Sequence, residues 1–510
     1  MLYNIRIVSS IVRSVVEYGG SGIIVDIECQ LSNGLPNIVI VGFVNKAVDE
    51  AKERVRSAFV SSKLDLPRKR ITINLAPADV PKDSTSFDLA IATSILLENN
   101  QAVSNLDKSI VLGELSLDGS VRAVRGIIGK LLSARKIGHK TAYVPLKNLR
   151  QAMLVPDITV IGVASLRDLY LDLTGTVPLK HLVSGKETIN ISTENESDFS
   201  EVVGQERAKR ALEIAAAGNH NVLLSGPPGT GKSMLAKALP SILPPLSRDE
   251  ILEVTQLHSL STNNYDQIVT HRPFRAPHHS ASLVSIVGGG QSPRPGEISL
   301  SHRGILFLDE LPEFNRTTLE SLRQPLEDKV ISVARAKDSI VFPADFMLVA
   351  TANPCPCGYY GTTKACSCTP SQILKYQQKL SGPILDRIDL YVDVDEVRHE
   401  KLLNKGDGEV SDELRKRVLG ARKMQEARYE NTLNTNATLS NKTIKSLARL
   451  SNEAKQLLDT AADKLSISAR SYMRIIKVAR TIADLDRSLD IKSAHVTEAL
   501  QYRKTDRITL

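Results

Sequence analysis

The sequence predicts an α/β protein made of two α/β parts followed by a helical third, and three observations carry that prediction. Over the first third, short apolar runs such as Gly22-Ile23-Ile24-Val25 and Ile38-Val39-Ile40-Val41 alternate with helical stretches such as Asn45 to Val60. A second series of apolar strands comprises Asn221 to Ser225, Gly304 to Leu308 and Phe346 to Ala350, and Gly304 to Leu308 has the near-continuous hydrophobicity of a strand buried on both faces. Toward the C-terminus Ile475, Ile476, Ala479, Ile482 and Ala483 recur at helix spacing. A polar stretch rich in Ser, Thr, Asn and Glu separates the two α/β parts. The expected ranges are a first domain over 1–180, a linker over 184–200, a core over 201–398 and a helical region over 399–510.

Composition narrows the class. A chain of 510 residues exceeds one hydrophobic core, and a prior of ~150 residues per domain agrees with three parts. With 42% hydrophobic and 24% charged residues it has a soluble protein's composition, and no apolar run approaches the ~20 residues that span a bilayer, so no membrane partner is expected. The start, Met1-Leu2-Tyr3-Asn4-Ile5-Arg6, lacks the regions of a signal peptide, and the expected location is the cytoplasm. A formal net charge of +8 favours encounter with polyanions but does not by itself assign nucleic-acid binding.

The second α/β part carries the chemistry. The strand Asn221 to Ser225 runs into Gly226-Pro227-Pro228-Gly229-Thr230-Gly231-Lys232-Ser233 and then a helix-forming run from Met234, which is the order strand, phosphate loop, helix. Its backbone N–H groups can surround phosphate oxygens, Lys232 can neutralise the β- and γ-phosphates of ATP, and the Ser233 hydroxyl can reach Mg²⁺. The strand Gly304 to Leu308 ends in Asp309-Glu310, placing one carboxylate to hold Mg²⁺ through water and the next to polarise an attacking water. A third strand ends in Thr351-Ala352-Asn353.

This series resembles the AAA+ P-loop module. The resemblance implies that Asn353 orients the hydrolytic water, that Arg387 in Leu385-Asp386-Arg387-Ile388-Asp389 is an arginine finger for a neighbouring subunit, and that the C-terminal helices form a lid. Ser468-Ala469-Arg470 resembles the sensor-2 element, with Arg470 preferred over Arg474 as the γ-phosphate contact. Two insertions match those shared by magnesium chelatases and minichromosome-maintenance helicases. One contains Arg272 and Arg275; the other, Val330 to Phe342, reads as a hairpin with Arg335 and Lys337 at its tip. These four cations are candidate DNA contacts that would grip phosphates without reading sequence, although Arg272 and Arg275 can equally brace the nucleotide site or a subunit interface.

The whole-chain pattern resembles the YifB/ComM family of magnesium-chelatase-like AAA+ proteins, from Leu35-Pro36-Asn37 through Asn74-Leu75-Ala76-Pro77 and the core to Ala479-Arg480-Thr481. What that implies is a hexameric ATPase on single-stranded or branched DNA, with helicase or branch-migration activity, meeting recombination proteins as incoming DNA is integrated in natural transformation. The alternative is a chelatase-like ATPase that remodels a protein partner without moving on DNA.

The first domain resembles the proteolytic domain of Lon-type proteases. Pro81 to Ser86 aligns with the nucleophile segment and puts Ser86 at the catalytic serine, but Ile128 stands at the lysine position, and isoleucine cannot take a proton. Lys130, two residues on, would occupy a different helix face, so the domain is expected to be an inactive scaffold. Lastly, Cys355, Cys357, Cys366 and Cys368 form C-x-C, eight residues, C-x-C on a short loop. Four thiolates there can satisfy tetrahedral Zn²⁺, against the alternatives of reduced loop cysteines or redox pairing.

Overall fold

The computed structural model describes residues 11–18, 21–42, 46–80, 82, 85–102, 106–183, 197–261, 264–290, 293–334, 339–380, 382–397, 409–430 and 434–503. The chain divides into two compact units, Met1–Asn190 with Ser247–Thr270, and Ile191–Leu246 with His271–Leu510.

In the first unit, Ile11–Tyr18, Ser21–Ser32 and Arg70–Ala76 pair antiparallel, and Asn37–Val41 adds a parallel edge to Arg70–Ala76. A second sheet orders His181–Val183, Thr159–Val163, Thr141–Pro145 and Ser109–Val111. The helix Asp88–Glu98 is buried from Asp88 to Leu96, as its nearly all-apolar sequence requires. Its one buried charge, Asp88, is held by Arg54 at 2.6 and 3.0 Å. Cys29 is buried in this core, matching its apolar flanks, and burial pushes its thiol up to about 12.

The second unit is built on an all-parallel sheet in the order Phe274–Arg275, Ile305–Leu308, Met347–Ala352, Val222–Ser225, Leu390–Asp393. Numbered in chain order this is 2-3-4-1-5. The sequence order reverses beside Val222–Ser225, and the crevice at the C-terminal ends of strands there is where open α/β sheets bind ligands. Helices Ser411–Tyr429, Asn441–Leu447, Asn452–Lys464, Ala469–Leu485 and Ser493–Gln501 follow, and Ser440, Ser451 and Ser468 each cap the next helix with a side-chain oxygen.

Two groupings differ from the sequence ranges. Helix Arg248–Ser261, inside the expected core, belongs to the first unit, where it packs on helix Ile127–Lys136. Gln151 Nε2 donates to the Gln267 carbonyl at 2.9 Å in the same unit. The C-terminal helices share a continuous apolar core with the parallel sheet and form one unit with it. Of the expected linker, residues 184–196 lie outside the described residues.

The helical region is pinned by a fully buried ion pair. Arg480 donates to Asp484 at 3.2 Å and to the carbonyls of Ala448, Leu489 and Ser488 at 3.1, 2.8 and 2.5 Å. Arg480→Met keeps the bulk but strands three carbonyls that the guanidinium had satisfied. It should cost about 3 kcal/mol, the low end of the penalty for breaking a buried pair, read as an earlier urea transition of the helical signal; an unchanged midpoint would contradict the account.

Candidate nucleotide site and metal centre

The phosphate loop leaves Val222–Ser225 and enters helix Lys232–Ala238 through Gly231, whose φ of +88° lies in the region that favours glycine. Lys232 folds back along the loop: its Nζ donates to the Gly226 and Pro227 carbonyls, both at 2.7 Å, and to Asn353 Oδ1 at 3.3 Å. Burial lowers this ammonium from the usual lysine range, while Asp309 and Glu310 act to raise it. An incoming anionic phosphate would replace carbonyl partners with a full counter-charge.

The neighbouring strand tips complete the cluster. Ser233 Oγ donates to Asp309 Oδ2 at 3.0 Å, and Thr351 Oγ1 donates to Asp309 Oδ1 at 2.5 Å. Thr351 Oγ1 also accepts the backbone N–H of Glu310 at 2.8 Å, which holds Glu310 at φ +53° with its side chain exposed. Thr351 was not among the residues the sequence singled out. The parallel register pairs Leu308 with Ala350, so the next residue on each strand, Asp309 and Thr351, meet. A β-branched hydroxyl at the end of an apolar strand was the available signal. Ser233 and Asp309 offer hard oxygen ligands on one side of the loop, a donor set that suits Mg²⁺.

A second set of charges gathers on Glu327. Its Oε1 accepts from Arg470 Nη2 at 2.8 Å and from Arg387 Nη2. Burial acts to raise the Glu327 carboxyl, but the Arg470 hydrogen bond and Arg387 charge hold it below the usual range. Within the chain Arg387 thus pairs with Glu327. Arg474 instead turns inward, donating to the Ile388 carbonyl and lying 3.9 Å from Asp389. The two arginines singled out from sequence therefore share one carboxylate, and Arg470 rather than Arg474 stands beside Arg387.

The four cysteines come together. Their sulfurs all lie within 4.8 Å of one another, with Cys355–Cys357, Cys357–Cys366 and Cys355–Cys366 at 3.4, 3.5 and 3.7 Å. Tetrahedral zinc with Zn–S bonds of ~2.3 Å places sulfurs ~3.8 Å apart, so the set fits that ion. Backbone N–H groups of Tyr360 and Cys357 point at Cys355 and Cys368 sulfurs at 3.3 and 3.4 Å. Hydrogen bonding, first from the Tyr359 backbone, lowers the Cys357 thiol to about 5.

The candidate DNA contacts separate. Arg272 donates to the carbonyls of Pro244 at 2.6 Å and Arg303 at 2.7 Å, and Arg275 forms a two-pronged pair with Glu297, each bond at 2.6 Å. Both guanidinium groups are engaged by partners within the second unit. Val330–Ala334 and Ser339–Pro343 do form the expected antiparallel hairpin, while Arg335 and Lys337, the cations expected at its tip, lie outside the described residues. In the first unit Ser86 and Ile128 are fully buried, and Lys130 is buried as well rather than turned to solvent. The reason is that helix Ile127–Lys136 is covered on two sides, by Ser21–Ser32 and by Arg248–Ser261.

Three family models match: magnesium chelatase subunit ChlI over residues 198–402, subunit ChlI of Mg-chelatase over 27–148, and the ChlI C-terminal region over 408–503. Competence protein ComM of Haemophilus influenzae is 44% identical over 509 residues, covering 98% of each chain. The chain belongs to the ComM/YifB family. YifB of Escherichia coli is 42% identical over 506 residues and 98% of each chain. A more distant family relation, the magnesium-chelatase 67 kDa subunit of Chlorobaculum parvum, is 30% identical over 158 residues, 31% of this chain and 23% of that protein. The parallel sheet and its loop fit the AAA+ P-loop domain of this magnesium-chelatase-like family, which suggests an ATPase. Among the described residues, no helix is long and apolar enough to cross a membrane.

Proposed function

We propose that the protein is an ATP-hydrolysing ring motor, hexameric by its family resemblance, that moves on single-stranded or branched DNA during recombination of incoming DNA. The observation that carries the ATPase reading is the convergence of Lys232, Ser233, Asp309 and Asn353 at the ends of three adjacent parallel strands. In this reading Gly226 to Ser233 wrap the phosphates, Ser233 and Asp309 hold Mg²⁺, Glu310 takes the proton of the attacking water, and Asn353 orients that water. Bound Mg²⁺ would neutralise charge on the β- and γ-phosphates. Arg387 and Arg470, sharing Glu327, act together on the nucleotide of a neighbouring subunit, and the helices after residue 409 serve as the lid. The four cysteines hold structural zinc. The first unit is a Lon-like scaffold in which Ser86 and Ile128 lie buried in the fold, without peptidase activity.

DNA action is supported by the paired strands Val330–Ala334 and Ser339–Pro343, between which the sequence carries Arg335 and Lys337, and by the word competence in the name of a relative covered over 98% of each chain. Arg335→Ala with Lys337→Ala should leave basal ATP hydrolysis intact and weaken DNA binding, lowering the slope of log affinity against log salt by about 2, one per lost phosphate contact. Equal salt slopes would remove the hairpin from the DNA path. A second reading, a motor that remodels a protein partner, is favoured by the three chelatase-subunit matches. Unwinding of a forked or four-way DNA by the wild type and not by Glu310→Gln would support the first reading; no unwinding, with ATP turnover intact, would favour the second.

A further inference from the structure

We propose that the four-cysteine loop is a metal-set clamp on the phosphate loop, so that zinc occupancy controls ATP affinity. This rests on the nucleotide and zinc assignments above and adds a physical link between them.

The link is a close packing of two loops. Gly358 sits in the turn that follows Cys355 and Cys357, its N–H donating to the Cys355 carbonyl at 3.0 Å. A Cβ placed on Gly358 would lie 2.5 Å from Cδ and 3.1 Å from Cγ of Pro228, so the cysteine turn rests directly on the proline ring of the phosphate loop. Gly358 also has φ +85°, a region closed in practice to most side chains. The same end of the cysteine segment meets the nucleotide site a second time. Cys355 is fully buried and follows Asn353 by two residues, and Asn353 Oδ1 holds Lys232 Nζ at 3.3 Å.

Between strand Met347–Ala352 and helix Pro370–Gln378 there is no helix or strand to fix the path of the chain. The sulfur cluster draws the two ends of this segment together across the eight residues between Cys357 and Cys366. With zinc, four thiolates share one cation and the turn bearing Gly358 has one position. Without it the same sulfurs have no common partner, the turn relaxes, and both Pro228 and Asn353 lose their support. A loop that must then be ordered on binding ATP binds it more weakly.

The test uses the full-length chain with Glu310→Gln, so that a fluorescent ATP analogue is bound without turnover. Zinc content is measured by mass spectrometry, and affinity is read before chelation, after chelation, and after zinc is restored. One zinc per chain is expected, with a dissociation constant that rises about tenfold on removal and recovers on restoration, within the usual range of coupling between sites. Gly358→Ala separates clamp from metal: it should retain one zinc yet bind the analogue more weakly, with unchanged circular dichroism. Absence of zinc, or one zinc whose removal leaves affinity unchanged, would overturn the clamp. If the zinc-loaded chain binds no analogue, or binds it equally well with Lys232→Ala, the nucleotide assignment itself fails, and the clamp with it.

Discussion

Glu310→Gln lowers steady-state ATP hydrolysis by about 10²- to 10⁴-fold while leaving ATP bound, the span that general-base catalysis contributes. The glutamate is held for this task from its backbone: Thr351 accepts the Glu310 N–H at 2.8 Å, and the left-handed φ of +53° turns the side chain out of the sheet. Glutamine has the same shape and reach, so the strand tip, the Asp309 contacts and the phosphate loop stay as they are. Only the capacity to accept a proton is lost. Phosphate release and binding of a fluorescent ATP analogue, measured on the same preparation, separate the two effects. Turnover at the wild-type rate would remove Glu310 from the chemistry; loss of binding in parallel with turnover would make it a binding residue.

Arg387→Ala should reduce hydrolysis by about 10³-fold or more, the effect of removing an arginine finger from P-loop enzymes. The loss has a signature that a structural defect lacks. Within one chain Arg387 pairs with Glu327, while Lys232 pairs with loop carbonyls and Asn353, so the two act in different contact sets. If the arginine serves a neighbour, mixing Arg387→Ala chains with Lys232→Ala chains restores part of the activity. Some interfaces then combine an intact lysine from one chain with an intact arginine from the other. Two inactive variants that stay inactive on mixing would place Arg387 in its own subunit's site or in the fold. Glu327→Gln tests the shared carboxylate in the same assay, because it weakens the hold on both arginines without moving the phosphate loop.

The parts of this site that were legible in the sequence are those written in contiguous residues. Eight residues spell the phosphate loop, two carboxylates end an apolar strand, and four cysteines crowd one segment; in each case the local pattern carries the chemistry. What was not legible depends on strands and helices meeting across long separations. Thr351 reaches Asp309 only because the parallel register aligns Leu308 with Ala350. Glu327 meets arginines 60 and 143 positions away, a pairing no periodicity encodes. Arg272 and Arg275 read as available cations because a sequence shows charge without partners, and the carbonyls and Glu297 that engage them are set by the fold. The helix Arg248–Ser261 falls within the range expected for the core, and the unit that buries its apolar side could not be read from local pattern. Likewise Lys130 is two residues from Ile128 on a helix, and two residues put it on another face; the fold covers that face too.

The claim that joins these observations is that ATP hydrolysis by this chain is coupled to DNA. The most direct measurement is steady-state ATP turnover without DNA and with single-stranded, duplex and four-way-junction DNA, at low and at high salt, with Glu310→Gln as the inactive control. The account predicts turnover that rises with single-stranded or branched DNA and loses that rise as salt displaces phosphate contacts. Turnover that is robust, dependent on Glu310 and indifferent to every DNA would contradict it, and would leave a motor whose substrate is a protein.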